Sequence, residues 1–415
     1  YRVFYFMKIQ CVLYRMLTNN GNKLVSDNFD FAKRQMVHML ENIPQGEAKM
    51  PHSINGKGNT SCRSIYWWTS GFFPGILWYI NEYTGDKTFE SFAKKWTEKL
   101  EPVKTFKGNH DIGFMMYCSF GNAYRLTQNE KYKDILIQSA YSLATRFNPQ
   151  VGTIKSWDSW RSWENKHVFK YPVIIDNMMN LELLFWASKA TGDPSFRNIA
   201  ISHAEKTMKY QIRKDGSSYH LACYDPETGN FIKGETSQGY SNESTWSRGQ
   251  GWGIYGFTLC YRETKDPRFL KTAQRMADYY INHPNLPSDK IPWWDFDTHR
   301  PGFIPGKFSK TNKYIQNYRD ASAASVTASA LLELSSYVKD DKKKIYTETA
   351  LQILTSLSSP EYRAEEGKNG NFILKHSTGA IPHGSEVDVP LIYADYYFLE
   401  ALLRYNRMIN NKPIL

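Results

Sequence analysis

Cysteine, long apolar runs and clustered basic residues are all scarce in this chain of 415 residues. The five cysteines are odd in number and widely spaced, so neither a disulfide framework nor a zinc-binding spacing follows from them. No run of 18 or more apolar residues occurs, which excludes a membrane-spanning helix. We therefore expect no metal, no cofactor and no membrane insertion.

The basic residues are numerous but dispersed. The formal net charge is +11, yet the densest run, at 340–344, carries two aspartates of its own and is typical of a solvated helix start. A nucleic-acid partner is therefore not expected. The excess positive charge instead indicates a small anionic partner, attracted over long range in a salt-dependent way.

Length and composition predict a large globular chain. Hydrophobic residues make up 41% of it, enough for a large core, and the length favours two domains or one closed barrel. Aromatic residues reach 15%, with 12 Trp and 28 Tyr. This is more than packing needs, and carbohydrate binding is one use of such rings.

The N-terminal segment differs from the rest of the chain. Residues 1–26 mix apolar residues with Arg2, Lys8 and Arg15 and do not form a convincing signal peptide. We assign 1–26 as an extension without a role and 27–415 as one catalytic domain. Because an export signal can be removed before the mature protein forms, the periplasm and the cytoplasm of a bacterium both stay open.

A short junction recurs along the chain and predicts helical pairs. Three copies combine Thr, Gly or Lys, Asp and then Phe, and the copies at 127–132 and 339–343 are looser; each follows an apolar segment and precedes an amphipathic one. Glycine suits the end of the first helix, Asp caps the second, and Pro fits its first turn. With the pair at 28–43 and 71–83, the pattern predicts twelve helices; the junctions lie at 83–89, 127–132, 191–196, 264–269 and 339–343.

The two helices of each pair differ in polarity. Segments after the junctions have one wet face: 88–101, 131–147, 194–212 and 267–283. Segments before the junctions are apolar or small nearly all round: 112–126, 174–190, 246–262, 320–337 and 391–405. Alternating outer and inner helices predict an all-α fold, the (α/α)6 barrel of six hairpins in a double ring. A two-domain helical bundle is the alternative.

Polar residues mark the starts of the inner segments, at 109–111, 176–177, 246–248 and 319–320. Inner helices of such a barrel run the same way, so these residues gather at one rim with the positive helix ends. In the stretch from Trp246 to Trp252, indole faces suit sugar rings, and Arg248 can grip a carboxylate with two parallel hydrogen bonds. The alternative is an ordinary helix start, with tryptophans in the core and the arginine paired to a structural acid.

Five strings together resemble the unsaturated glucuronyl hydrolases of glycoside hydrolase family 88: 109–114, 175–181, 238–241, 244–252 and 319–323. The resemblance covers residues 28–408 in order. It implies an (α/α)6 barrel and an enzyme that removes the 4,5-unsaturated uronic acid that lyases leave at the non-reducing end of glycosaminoglycan fragments. In that family a general acid protonates C4, water adds at C5, and the hemiketal opens and expels the aglycone.

The resemblance also assigns roles to residues of this chain. Asp176 matches the general acid and base, which needs a pKa raised by an apolar, aromatic wall and by a neighbouring carboxylate. Asp111 matches that second acid, which holds ring hydroxyls and repels the charge of Asp176. The aromatic assignments compete with Trp67, Trp160 and Trp163, and one histidine either orients Asp111 or caps the helix. The implied substrate-binding residues are His110, His220, Gln238, Trp246, Arg248, Trp252, Trp68 and Trp157.

Two other functions remain open. Unsaturated rhamnogalacturonyl hydrolases, family 105, share the fold and the chemistry, but Gln250 favours family 88 because Asn is expected there in the related family. A noncatalytic binder of acidic glycans would need only the basic charge and the aromatic rim. The segment 375–385 is expected to lie at the rim and to face the aglycone, and the sulfation of the substrate is left open.

Overall fold

Helices dominate the architecture. The computed structural model describes residues 2–43, 49–164, 166–310 and 316–414, with the backbone alone for 2–19. A π-helical turn, Tyr117–Gly121, joins α4 to α5. Within these residues the helices are α1 Arg2–Asn42, α2 Phe72–Thr84, α3 Lys87–Glu98, α4 Ile112–Met116, α5 Asn122–Thr127, α6 Glu130–Ala144, α7 Asn177–Thr191, α8 Pro194–Tyr210, α9 Ser247–Thr264, α10 Pro267–Asn282, α11 Ala321–Ser335, α12 Asp340–Leu357 and α13 Ile392–Ile409.

The helices form two concentric rings. In the inner ring α2, the α4–α5 pair, α7, α9, α11 and α13 contact one another in this order, and α13 returns to α2. The outer helices α1, α3, α6, α8, α10 and α12 pack against them from outside. Buried residues line nearly the whole of α11 and α13, as expected for helices covered on all sides. The predicted (α/α)6 barrel is confirmed.

The junctions between paired helices follow the predicted capping chemistry. Asp86, Asp193 and Asp266 each accept the backbone N–H two residues ahead, at 2.8–2.9 Å. Gly85 and Gly192 end the preceding helices in the left-handed conformation, with φ of 69° and 76°. These caps satisfy backbone groups that helix ends leave unpaired, and they fix where each hairpin turns.

The junction at 339–343 departs from this pattern. Lys339 occupies the N-cap of α12 and makes no side-chain cap bond, while Asp340 has a φ of 52°. The acids of this run lie in the first turn, where they favour the positive helix end instead of capping it. The prediction of a capped junction here is wrong.

The long first helix crosses the boundary assigned from the sequence. Helix α1 runs without a break from Arg2 to Asn42, so the division between 1–26 and 27–415 falls inside one helix. The role of the extension and the single catalytic domain stay predictions. Of the helices in the described part of the chain, none combines the length and the apolarity needed to cross a membrane.

Short antiparallel strands line the end of the barrel at which the inner helices begin. Strand β7 leads directly into α7, and Ile175 between them donates its N–H to the carbonyl of His220 at 2.9 Å. This sheet holds the N-terminus of α7 beside the loop that precedes β8. The strands are β1 Lys49–Ile54, β2 Thr60–Ser64, β3 Phe147–Asn148, β4 Thr153–Ile154, β5 Trp160–Arg161, β6 Val168–Phe169, β7 Tyr171–Ile174, β8 Leu221–Tyr224 and β9 Phe231–Glu235.

Candidate active site

A cavity of about 260 Å³ lies where the inner helices begin. Two carboxylates line it: Asp111 at the N-cap of α4 and Asp176 at the N-cap of α7. Neither side chain makes a capping hydrogen bond. Both carboxyl groups are therefore free to face the cavity, whereas the carboxyl of a capping aspartate would be bound to a backbone N–H. The rest of the lining is Tyr66, Trp67, Trp68, Asn109, Trp157, Ile174 and Gln238.

The carboxyl of Asp176 is almost entirely withdrawn from solvent. The residue is 7% exposed, and its Oδ1 has no hydrogen-bond partner among the described residues. Burial raises its pKa from 3.8 to about 7, against the opposing effects of the Arg248 charge and the indole N–H of Trp252. Such a carboxyl can both give and take a proton near neutral pH.

The imidazole of His220 is held in one tautomer beside Asp176. Its Nδ1 accepts the backbone N–H groups of Ser237 and Gln238, at 3.0 and 3.2 Å. The ring proton therefore lies on Nε2, which is 3.7 Å from Oδ1 of Asp176. Burial holds the pKa of His220 well below its usual range, so the ring is a neutral N–H donor.

Asp111 has a similar histidine neighbour. Nε2 of His110 is 3.3 Å from Oδ1 of Asp111, and Nδ1 faces the Ser156 hydroxyl at 3.4 Å. Burial lowers the pKa of His110 to about 3, which keeps the ring neutral. Because the ring lies beside the Asp111 carboxyl and no capping hydrogen bond from His110 is found among the described residues, this geometry favours the interpretation in which His110 orients Asp111.

Burial and charge both act on the pKa values of the two acids. The pKa of Asp111 is raised well above its usual value, first by burial and then by the charge of Asp176. The charge of Arg248 lowers the pKa of Asp176, and burial raises it more. Burial thus acts on Asp176 as the expected apolar wall would, while the like-charge repulsion between the two acids raises the pKa of Asp111.

Arg248 is committed to the protein. Its Nη1 donates to Oδ2 of Asp320 at 2.9 Å and to the carbonyl of Thr378 at 2.6 Å, and its Nη2 donates to the carbonyl of Gly379 at 2.8 Å. Nη2 also donates to Oε1 of Gln238 at 3.3 Å. These bonds engage both Nη atoms and leave Nε without a partner among the described residues, so the guanidinium does not present two free Nη donors to a ligand carboxylate. Substrate binding by Arg248 stays a prediction. The alternative, an arginine paired to a structural acid, describes this geometry.

Trp246 and Trp252 belong to the interior. Trp252 has 0% exposure and packs against Phe114 at 5.2 Å between ring centroids. Trp246 is covered by the His220 ring at 4.6 Å and by the Arg248 guanidinium at 4.5 Å. Ring contacts to a sugar, predicted for both, are therefore not possible in this arrangement. The core-tryptophan alternative is the one that the structure supports.

The remaining predicted aromatic residues do reach the cavity. Trp68 and Trp157 are half-buried and line it, as does the competitor Trp67, which is 41% exposed. Trp160 and Trp163 are outside its lining. Gln238 lines the cavity too. Because its Oε1 accepts a hydrogen bond from Arg248, the group that it can offer to a ligand is its amide NH2, a donor. Binding by these residues stays a prediction.

Sequence reasoning missed part of the site and its support. Tyr66 lines the cavity but belongs to no motif, and Asn109, which the sequence placed at the rim with 110–111, was given no role of its own. The segment 375–385 does not line the cavity; it packs behind it, where His383 Nε2 is 3.0 Å from the Ser237 hydroxyl. Among the described residues no group of three or more potential His, Cys, Asp or Glu ligands is arranged for a metal ion.

Comparison with known proteins agrees with this architecture. The family model described as Glycosyl Hydrolase Family 88 matches residues 42–262. An unsaturated glucuronyl hydrolase of Formosa agariphila is 46% identical over 95% of this chain and 90% of that protein. An unsaturated chondroitin disaccharide hydrolase of Streptococcus pyogenes is 33% identical over 81% of each chain.

Solved structures give the same result. The crystal structure of an unsaturated glucuronyl hydrolase specific for heparin superposes with a TM-score of 0.85 and 44% identity, covering 94% of this chain and 98% of that one. The enzyme from Bacillus sp. GL1 superposes with a TM-score of 0.78 and 30% identity, covering 94% and 97%. This chain is a glycosidase and belongs to glycosyl hydrolase family 88.

Proposed function

We propose that the protein removes the 4,5-unsaturated uronic acid from the non-reducing end of lyase-generated glycosaminoglycan oligosaccharides. The observation that carries this proposal is the Asp176 carboxyl, buried in the cavity wall with a pKa of about 7. A group poised between its two protonation states suits a reaction that needs an acid first and a base second. The names of the relatives support the same activity.

The proton of Asp176 starts the proposed reaction. Its transfer to C4 breaks the C4=C5 double bond and leaves a cation shared by C5 and the ring oxygen. Water adds at C5 and returns a proton to the Asp176 carboxylate, which restores the acid. The C5 hemiketal then opens, and the hemiacetal at C1 expels the aglycone. No attack on the anomeric carbon occurs, so the separation rule for paired glycosidase carboxylates does not apply.

The neighbours of Asp176 fit the two halves of this cycle. The Nε2–H of His220 faces Oδ1 and stabilises the carboxylate after the first proton transfer. Asp111 lines the cavity, where its carboxyl hydrogen-bonds a ring hydroxyl of the sugar, and Nε2 of His110 lies 3.3 Å from its Oδ1. Trp68 and Trp157 present ring faces to the sugar.

The carboxylate of the substrate meets a positive field in this proposal. Helices α4 and α7 begin at the cavity end of the barrel, so the positive ends of both helices face it. Several N–H groups of these first turns are already paired, such as that of Phe114 with Oδ1 of Asn180 at 2.8 Å. The Arg248 charge adds to this field from behind, although its Nη atoms are engaged. The substrate carboxylate is then bound by long-range attraction and by the amide of Gln238, instead of by two hydrogen bonds from a guanidinium.

Heparin-derived disaccharides are the substrates that we expect to react fastest. The relative described as specific for heparin is 44% identical with a TM-score of 0.85. The chondroitin disaccharide hydrolase of Streptococcus pyogenes is more distant, at 33%. Preference within the family would thus follow overall similarity.

The test is a panel of lyase products from heparin, chondroitin, hyaluronan and rhamnogalacturonan, each incubated with the protein while absorbance of the conjugated double bond is followed. We expect loss of absorbance on the glycosaminoglycan products, fastest on the heparin disaccharides, and matched sulfated and unsulfated disaccharides show which form is preferred. Loss on the rhamnogalacturonan product alone would assign the family 105 activity instead. Tight binding without any loss would make the protein a noncatalytic glycan binder.

A further inference from the structure

A row of three tryptophans leads away from the candidate active site. Trp157 lines the site cavity, and its ring lies 6.1 Å from that of Trp160. The ring of Trp160 lies 6.1 Å in turn from that of Trp163. Trp163 lines a second cavity of about 250 Å³. The row therefore connects two cavities of similar size along one edge of the rim.

The middle ring of the row is fixed in place. The indole N–H of Trp160 donates to Oε2 of Glu235 at 2.6 Å, and the hydroxyl of Ser162 donates to Oε1 of the same carboxylate at 2.6 Å. Glu235 is only 1% exposed. Because a buried carboxylate anchors it, Trp160 needs no reordering to receive a ligand, and all three rings keep part of their surface in solvent.

The far end of the row pairs an aromatic ring with a cation. The Lys310 ammonium lies 5.0 Å from the centroid of Trp163 and has no acidic partner among the described residues. The nearby acid Glu164 is already occupied by Lys233 and by the amide of Asn242. The other acid of the cavity lining, Glu243, accepts hydrogen bonds from the Ser241 hydroxyl and the Gly306 N–H. An anionic sugar at this end would meet the Trp163 ring, Lys307 of the lining and Lys310 beside the ring.

We propose that the second cavity is a subsite for the third sugar of a longer unsaturated oligosaccharide, which stacks on Trp163 and places its carboxylate on Lys310. This proposal rests on the function proposed above. Glycosaminoglycans alternate uronic acid and amino sugar, so the first and the third residues both carry carboxylates. The unsaturated uronate would fill the site cavity, the amino sugar would lie along Trp157 and Trp160, and the next uronate would reach Lys310.

The test compares an unsaturated disaccharide with the tetrasaccharide of the same glycosaminoglycan. The quantity compared is kcat/KM for the tetrasaccharide divided by kcat/KM for the disaccharide. For Trp163→Ala we expect this ratio to fall about tenfold, which corresponds to about 1.4 kcal/mol of lost interaction with the longer substrate. Tyr141→Ala, a matched loss of an exposed ring on the outer helix α6, should leave the ratio unchanged. An unchanged ratio in Trp163→Ala would overturn the subsite.

A second variant tests the charge independently of folding around the removed ring. Lys310→Met should lower the same ratio at low salt, and the difference from wild type should shrink as salt screens the attraction. Lys343→Met, on the exposed face of α12, removes the same charge far from the row and should change nothing. If wild type degrades the disaccharide and neither Trp163→Ala nor Lys310→Met lowers the ratio, the subsite is refuted and the proposed function stands. If wild type degrades neither substrate, the proposed function itself has failed.

Discussion

Replacing Asp176 by Asn separates proton transfer from packing more cleanly than any other single change. Asn keeps the size of the side chain but carries no transferable proton, and the cavity offers no other acid with a pKa near 7 at that position. We expect turnover to fall by about two to four orders of magnitude, the usual contribution of a positioned acid or base. Binding of the sugar, measured as a dissociation constant, should change much less.

The same replacement has a pH-dependent effect on stability. The folded protein keeps the proton of Asp176 up to about pH 7, whereas the unfolded chain releases it near 3.8, the ordinary pKa of an aspartate side chain. Because the folded state binds more protons between these values, stability falls as pH rises through that window. The full shift corresponds to about 4 kcal/mol of differential interaction. Asn removes this penalty, so the variant should gain stability relative to wild type as pH rises from 4 to 8.

The assays are initial rates on a heparin-derived disaccharide and urea unfolding at pH 4 and pH 8. Asp193→Asn is the matched control, since Asp193 is an exposed N-cap and Asn caps a helix about as well. That control should leave both activity and stability near wild type. More than a tenth of normal turnover in Asp176→Asn, or a stability difference that shrinks with rising pH, would refute the reasoning.

Three further substitutions test the surroundings of Asp176. Asp111→Asn should reduce kcat/KM through a lost hydrogen bond to the sugar but leave the pH midpoint of activity nearly unmoved, because burial sets the pKa of Asp176; a pH–rate profile decides this. Arg248→Met should cost about 3 kcal/mol in urea unfolding by leaving Asp320 buried and unpaired, and Arg248→Met/Asp320→Asn should recover part of it; no loss would contradict the structural role. Trp252→Phe should move the alkaline limb of activity to higher pH, because the indole N–H lowers the pKa of Asp176, and an unchanged limb would exclude that contact.

The helical framework was predictable because its signals are local. The three Asp caps, at 86, 193 and 266, act on N–H groups two residues away, so the chemistry is legible in a short window. Outer helices have one polar face, whereas inner helices are apolar on nearly all faces, and this difference can be read from the residues of each segment alone. The short strands were missed, since β7, β8 and β9 hold only four or five residues each and pair across long stretches of chain.

The details of the site depended on partners that sequence spacing does not reveal. The acid beside Arg248 lies 72 residues away, and its carbonyl partners are 130 and 131 residues away. The residues next to Arg248 in the sequence are compatible with an arginine that binds a ligand and equally with one that binds a structural acid. The sequence around Trp252 is also typical of a residue that stacks on a sugar, because glycines flank it. In the structure these glycines let the inner helices approach one another closely, and this close packing encloses the indole ring. A Cβ on Gly251, for example, would lie 3.3 Å from the carbonyl oxygen of Ala323.

Position at the rim was nevertheless predictable for the acids. Asp111 and Asp176 precede inner helices that run the same way, so one geometric argument brings two distant carboxylates to one cavity. What the sequence could not give was their ionisation, which depends on burial and on the opposing charge of Arg248. The role of Asp176 as general acid stays a prediction; burial raises its pKa as the expected apolar wall would, whereas no contribution from Asp111 is found.

Hydration of the C4=C5 bond is the central claim, and one NMR measurement in D2O tests it most directly. The protein is incubated with an unsaturated heparin disaccharide while the double bond, the released amino sugar and the position of deuterium are followed in one sample. The account predicts one aglycone released for each double bond lost, with the first deuterium delivered to C4. Release of the aglycone from a sugar that keeps its double bond would show attack at the anomeric carbon and would contradict the account.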